Sequence, residues 1–220
     1  MTSEDAPSTE PSDPDVSFVV PASNDEAYLR GTLSSIRSLD TGLTYEVIVV
    51  DGGSSDDTPT TAREYDATLL EGSGSNTRTG RNLGAAHAGG EWLAFVDADV
   101  ELRANYLTAM VGLAESEGLA AASSYCRIAG PWRANAVELT INHVLSRLEP
   151  PILPGFNCFV HRDAFEEVGG VPDGANAASA FSRELARVGP TGFCRQVLVE
   201  TSGRRVADRG LTGTLARSLE

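Results

Sequence analysis

The chain has 220 residues, 31 acidic and 17 basic, for a formal charge of −14 and a pI of 4.6. That length suits one domain with a core of useful size, and 41% hydrophobic against 22% charged residues excludes a wholly disordered chain. The charge opposes non-specific nucleic-acid binding, and no apolar run approaches the roughly 18–20 residues of a transmembrane segment.

Residues 1–15, MTSEDAPSTEPSDPD, have neither the basic nor the apolar part of a secretory signal and read as a disordered acidic leader. Val16–Val20 is a β-branched run ended by Pro21, a buried strand. Asp25–Leu39 carries Leu29, Leu33 and Ile36 at helical spacing. Tyr45–Val50 reads as a second strand ending at Asp51-Gly52-Gly53-Ser54-Ser55, and Asp57-Thr58-Pro59 opens a helix. Ala67–Glu71 reads as a strand, Gly72–Gly80 as a polar loop and Arg81–Gly89 as a helix. Trp92–Val96 is a buried strand that stops at Asp97-Ala98-Asp99.

This strand–helix alternation predicts an α/β domain over residues 16–210, with a mostly parallel sheet and flanking helices. Such sheets bind ligands at the carboxyl ends of their strands, where Pro21–Glu26, Asp51–Ser55 and Asp97–Asp99 all fall. Further on, Ala104–Glu117 reads as a helix and Ala120–Ile128 as a strand. Trp132–Leu148 reads as one long packed helix, with an interfacial or acceptor-facing role as the alternative. Gly155–Val160 is extended, Asp163–Val168 and Ala177–Val188 are helical, and Arg195–Glu200 is the last strand. Arg204, Arg205 and Arg209 lie beyond it, able to reach phosphate or to be solvated, and residues 211–220 read as a tail.

Asp97 and Asp99, one residue apart past a buried strand, can aim oxygens at one hard cation, Mg²⁺ or Mn²⁺, whose remaining shell is water and a substrate diphosphate. The three histidines are scattered. Cys126, Cys158 and Cys194 match no zinc or disulfide framework and read as buried free thiols of a cytoplasmic protein.

Four segments together resemble family 2 glycosyltransferases of the GT-A type. They are Pro21-Ala22-Ser23-Asn24-Asp25-Glu26, Val49-Val50-Asp51-Gly52-Gly53-Ser54-Ser55-Asp56, Gly80-Arg81-Asn82-Leu83-Gly84 and Phe95-Val96-Asp97-Ala98-Asp99, in the family's order. The likeness continues through Gly155-Phe156-Asn157 and His161–Gly170, and Thr201–Arg205 is similar to a tail in small soluble members. It implies a nucleoside-diphosphate-sugar donor, with Pro21, Ser23, Asp25 and Asp51 around base and ribose and Arg81 near the diphosphate. Asp97 would face ribose or metal, Asp99 would bind the metal, and transfer would invert the anomeric carbon. The acceptor, a lipid phosphate, glycan or small molecule, is not specified.

The family's general base sits in a Glu-Asp pair, and alignment on Phe181-Ser182-Arg183-Glu184-Leu185 puts Ala177-Ala178 there. Three readings stand: Asp173 or Glu184 as a substitute base, an acceptor already ionised, or a nucleotide-sugar binder with little transferase activity. The resemblance implies a cytoplasmic place, with peripheral placement at the inner membrane face as the alternative. Abundant acid with no lysine among the 17 basic residues resembles the proteins of salt-loving microbes.

Overall fold

The computed structural model describes residues 13–72, 74, 76–130, 132–174 and 176–203. Residues 1–12, Arg204, Arg205, Arg209 and the expected tail at 211–220 lie outside the described residues. Eight strands form one sheet: β1 (Val16–Ala22), β2 (Tyr45–Asp51), β3 (Thr68–Glu71), β4 (Trp92–Val96), β5 (Val100–Leu102), β6 (Ala121–Ile128), β7 (Asn157–His161) and β8 (Thr191–Thr201). Their spatial order is β3-β2-β1-β4-β7-β6-β8-β5. Strand β1 runs parallel to β2 and β4, β2 to β3, and β6 to β8. Strand β7 is antiparallel to β4 and β6, and β5 to β8. The expected α/β architecture with a mostly parallel sheet is therefore observed.

Seven helices cover the sheet: α1 (Glu26–Arg37), α2 (Thr58–Glu64), α3 (Thr77–His87), α4 (Tyr106–Glu117), α5 (Trp132–His143), α6 (Arg162–Glu167) and α7 (Ala177–Val188). Both faces of the sheet are covered at β1 and β4, which is why these central strands are continuous apolar runs. Along β1 the side chains alternate between two cores. Phe18 and Val20 join Leu29, Leu33, Ile36 and Tyr106 on one side. Val19 joins Ile48, Leu93, Phe95, Phe165 and Phe181 on the other. Each such side chain contributes about 1.5–3 kcal/mol by burial.

The structure corrects four boundaries. Strand β1 continues through Pro21 to Ala22, pairing with β2 after its last pair with β4 at Val19–Phe95. Helix α3 starts at Thr77, inside the expected loop, because Asn76 caps it by accepting from the Arg78 N–H at 3.0 Å. Strand β8 starts at Thr191, four residues before the expected Arg195. The expected helix over Trp132–Leu148 ends at His143, followed by a 3₁₀ turn at Leu145–Arg147. At the other end, the Asp15 carboxylate accepts from the Thr44 N–H at 2.6 Å and its hydroxyl at 2.8 Å, tying the approach to β1 onto the sheet.

Candidate functional site at the carboxyl edge of the sheet

The register sets the ends of three neighbouring strands together. Ala22 pairs with Asp51, Asp51 with Glu71, and Val19 with Phe95 two residues before Asp97. The polar segments after β1, β2 and β4 thus meet at one edge.

The first two are sewn to each other. Asn24 adopts a left-handed φ of 54°. Its N–H donates to Ser54 Oγ at 2.8 Å, and its Oδ1 accepts from the Ser55 N–H at 2.9 Å. The Asp25 N–H donates to Thr58 Oγ1 at 2.9 Å, and its carboxylate accepts from the Ser23 N–H at 3.0 Å. Asp51 is buried and accepts from the Ser54 N–H at 3.1 Å and from the Ser54 hydroxyl. Gly53, at φ 85°, supplies the left-handed step that lets Ser54 fold back on it. Asp56 bridges the two turns by accepting from the Glu26 N–H at 3.1 Å and from Thr58. Burial pushes its carboxyl up, but the bonds from Thr58 and Glu26 outweigh that and hold it below the usual range.

The third segment is the most buried. Asp97 and Asp99 are 2% and 6% exposed. Arg81 Nη2 donates to Asp97 Oδ1 at 2.7 Å in an ion pair of which Arg81 shows 12% of its side chain to solvent. Ser202, just past β8, donates its hydroxyl to Asp99 Oδ2 at 2.8 Å and its N–H to the Asp99 carbonyl at 3.2 Å. Buried Thr32 of α1 donates to the Ala98 carbonyl at 2.8 Å. The Asp97–Asp99 turn is thereby held from α1, α3 and the end of β8.

Helix α3 can supply Arg81 because glycines bring it against β1. A Cβ on Gly80 would lie 3.0 Å from Pro21 Cβ, and one on Gly84 would overlap Val19 Cγ1. Asn82 faces the α6–α7 loop, accepting from the Val171 N–H at 2.9 Å and donating to its carbonyl at 3.1 Å. Gly155 completes the seat of Arg81, since a Cβ there would stand 2.8 Å from Arg81 Nη1. The guanidinium lies against bare backbone.

Asp173 lies on the loop before α7, 83% exposed, in an ion pair with Arg78 at 2.8 Å, one turn ahead of Arg81 on α3. Glu184 is engaged by Arg187 at 2.6 Å on the outer side of α7. Ala177 and Ala178 are buried at the start of α7. With Arg81, Phe95, Leu153, Gly155, Cys158, Val171 and Phe181, Ala178 lines a cavity of about 10 Å³, the room of one water. Burial pushes the Cys158 thiol up to about 12 against the opposing pull of Arg81, so no thiolate nucleophile is present there at neutral pH.

The structure therefore brings Pro21, Ser23, Asp25, Asp51, Arg81, Asp97 and Asp99 to one edge and leaves Asp173 exposed beside it. The sequence reading gave no role to Ser202, Asn82, Gly155 or Arg78; an arginine one turn before Arg81 was the available signal for Arg78. Asn157, part of the G-x-N resemblance, is a core residue. It accepts from the Tyr106 hydroxyl at 3.2 Å and donates to Ser124 Oγ at 2.9 Å.

Asp97 and Asp99 form an oxygen-only donor pair, the chemistry of a hard divalent cation. Among the described residues no three His, Cys, Asp or Glu side chains converge, so such a cation would need water and ligand phosphate for its other positions. On that basis the donor set fits Mg²⁺ or Mn²⁺.

The family model described as glycosyl transferase family 2 matches residues 17–187. The chain is 26% identical over 172 residues to glycosyltransferase AglE of Haloferax volcanii, covering 73% of this chain and 57% of that protein. It is 33% identical over 109 residues to the putative glycosyltransferase EpsH of Bacillus subtilis, covering 47% of this chain and 31% of that one. The chain thus matches about half or less of the length of these curated relatives. Among solved structures, PcManGT of Pyrobaculum calidifontis, a mannosyltransferase in complex with GDP-Man and Mn²⁺, has a TM-score of 0.71 at 24% identity. The match covers 94% of this chain and 62% of that one. S. aureus TarS 1-349 has a TM-score of 0.71 at 16% identity, covering 86% and 60%. Glucosyl-3-phosphoglycerate synthase of Mycobacterium tuberculosis, solved with Mn²⁺ and UDP, has a TM-score of 0.67 at 21% identity, covering 94% and 80%. At these identities the solved structures establish the shared fold.

Proposed function

The chain belongs to glycosyl transferase family 2, and on that premise we propose that it transfers a sugar from a nucleoside diphosphate to an acceptor, with a divalent metal and inversion at the anomeric carbon. The observation that carries this reading is the buried Arg81–Asp97–Asp99 group at the sheet's carboxyl edge. Pro21, Ser23, Asp25 and Asp51, in the two joined turns, form the floor for base and ribose. Arg81 offers a planar donor fork suited to phosphate oxygens and is anchored by Asp97. Asp99, fixed by Ser202, presents its carboxylate to the metal, with Asp97 beside it. When bound, Mg²⁺ or Mn²⁺ supplies positive charge to the departing diphosphate.

Deprotonation of the acceptor falls to Asp173, which must part from Arg78 to serve, or is unnecessary because the acceptor is already ionised. A lipid phosphate meets the second condition, and we place the protein peripherally at the inner membrane face on that account. That no described helix is long and apolar enough to cross a membrane is compatible with this placement. A second reading, a nucleotide-sugar binder with little transferase activity, is favoured by one observation, the buried Ala177-Ala178 where the family has its base. The use of high salt inside the cell, suggested by the acid-rich, lysine-free composition, belongs to the same proposal.

Calorimetric titration with UDP and GDP, with and without Mn²⁺, tests the site. Metal-dependent binding that disappears in Asp99→Ala is expected; no metal-dependent binding of either diphosphate would sink both readings. Donor turnover then separates them. Activity lost in Asp173→Asn with nucleotide binding kept marks Asp173 as the base, and binding without turnover on any acceptor marks the binder.

A further inference from the structure

We infer that the outer face of α5 and the turn after it form a docking surface for an anionic lipid bilayer, which gives the peripheral placement proposed above a definite surface. Six large hydrophobic side chains are exposed among the described residues, and four of them fall between Trp132 and Leu148. Trp132 is 72% exposed, Leu139 57%, Val144 53% and Leu148 41%. Trp132, Ala136, Leu139 and His143 follow the i, i+4, i+7, i+11 spacing that stacks side chains on one helix face. Val144 and Leu148 prolong this apolar surface past the end of the helix.

The helix cannot turn this row inward. On its inner side Ala134, Val137 and Ile141 are fully buried. Asn142 clamps both backbone groups of Cys126, accepting from its N–H at 3.0 Å and donating to its carbonyl at 2.8 Å. Glu138 accepts from the Ile128 N–H at 2.9 Å. Two polar clamps to β6 therefore fix which side faces out, and that side carries Trp132 and Leu139 among the polar Asn135 and His143. The expectation of a packed helix holds for the inner side, and the helix itself stops at His143.

Charge selects the occupant. The Arg133 guanidinium lies 5.6 Å above the exposed Trp132 ring, and Arg147 donates to the His143 carbonyl at 3.0 Å. Residues 127–149 carry three arginines against two glutamates, net +1 in a chain of net −14, and Glu138 is turned to the Ile128 N–H. An apolar surface with a tryptophan and flanking arginines suits the boundary between acyl chains and anionic headgroups. A second copy would instead set like charges against each other.

From Leu148 the chain runs through Pro150 and Pro151 to Leu153 and Gly155, which line the cavity beside Arg81.

The test is flotation of the full chain with phosphatidylglycerol vesicles and with phosphatidylcholine vesicles, at low salt and at about 1 M, where the Debye length is about 3 Å. Flotation with phosphatidylglycerol is expected, with a blue shift of Trp132 emission that is absent in Trp132→Phe; Trp92, buried against Phe159, stays constant. The preference over phosphatidylcholine should shrink in high salt. Leu139→Glu/Val144→Glu, altered only at exposed positions, should lower partitioning by about tenfold or more while binding UDP–Mn²⁺ as the unaltered chain does. A chain that floats with neither vesicle overturns the proposal, as does a double variant that floats undiminished. So does a dimer dissolved by that variant, or a Trp132 already shielded from acrylamide until residues 204–220 are removed. Loss of UDP–Mn²⁺ binding with flotation intact counts against the glycosyl-transfer reading and leaves the docking surface standing.

Discussion

Replacing Arg81 by Met keeps most of its packing against Gly155 but takes from the Asp97 carboxylate, 2% exposed, the guanidinium that lies 2.7 Å from it. Removing one partner of a buried ion pair costs about 3–5 kcal/mol, mostly the penalty of the charge left behind. Arg81 is itself 12% exposed, which favours the lower half of that range. In a domain of this size each kcal/mol moves the melting temperature by about 2–4 °C, so a fall of about 6–16 °C is expected. Adding Asp97→Asn to Arg81→Met removes the stranded charge and should restore more than half of the loss. Urea unfolding followed by circular dichroism measures Arg81→Met, Asp97→Asn and the double variant. Because the pair is buried, the loss should differ little between low salt and about 1 M, unlike that of an exposed pair. A cost of Arg81→Met below about 1 kcal/mol, or a double variant as unstable as the sum of the singles, would refute this account of the pair.

Two further outcomes follow from the same edge of the sheet. Gly84→Ala sets a methyl group into Val19 and within 3.2 Å of Val50 Cγ2, so α3 must lift from β1; urea unfolding should show a loss of about 1–3 kcal/mol. Asp56→Ala removes a carboxyl that its hydrogen bonds hold below the usual range. Such a group stabilises the fold above its ordinary value near 3.9 and loses that contribution as pH falls through its lower folded value. The variant should therefore be weaker by about 1 kcal/mol at pH 7 and converge on the unaltered chain in acid; a constant gap across a urea series in pH would contradict this.

What the sequence discloses and what it withholds divide by range. The strand ends at Pro21, Asp51 and Asp97 were legible because buried strands are apolar runs and the polar residues that stop them are adjacent in the chain. The glycines around Arg81 were legible as a motif, and the structure gives their reason in the contact of α3 with β1. Ser202 on Asp99 joins residues 103 positions apart, and no local period encodes such a contact. The packing of helix α5 was legible, but not which of its sides faces outward. Apolar residues lie on both its faces, and the side that turns inward is chosen by Asn142 and Glu138 binding β6. The Ala177-Ala178 departure was visible at once, but its burial against the Arg81 cavity was not.

The Ser202–Asp99 bond also bears on when the site comes into being. Strand β5, directly after Asp99, has β8 as its sheet neighbour. Until β8 is made, β5 has no strand to pair with and Asp99 lacks the hydroxyl that steadies it. A ribosome adding about 5–20 residues per second needs roughly 5–20 s to go from one residue to the other. During that interval the nascent chain already carries the first four parallel strands but lacks the residue that fixes the Asp99 carboxylate. The Asp97–Asp99 turn is thus completed only with the arrival of residue 202, and a chain released short of it would lack the hydrogen bonds from Ser202 to Asp99.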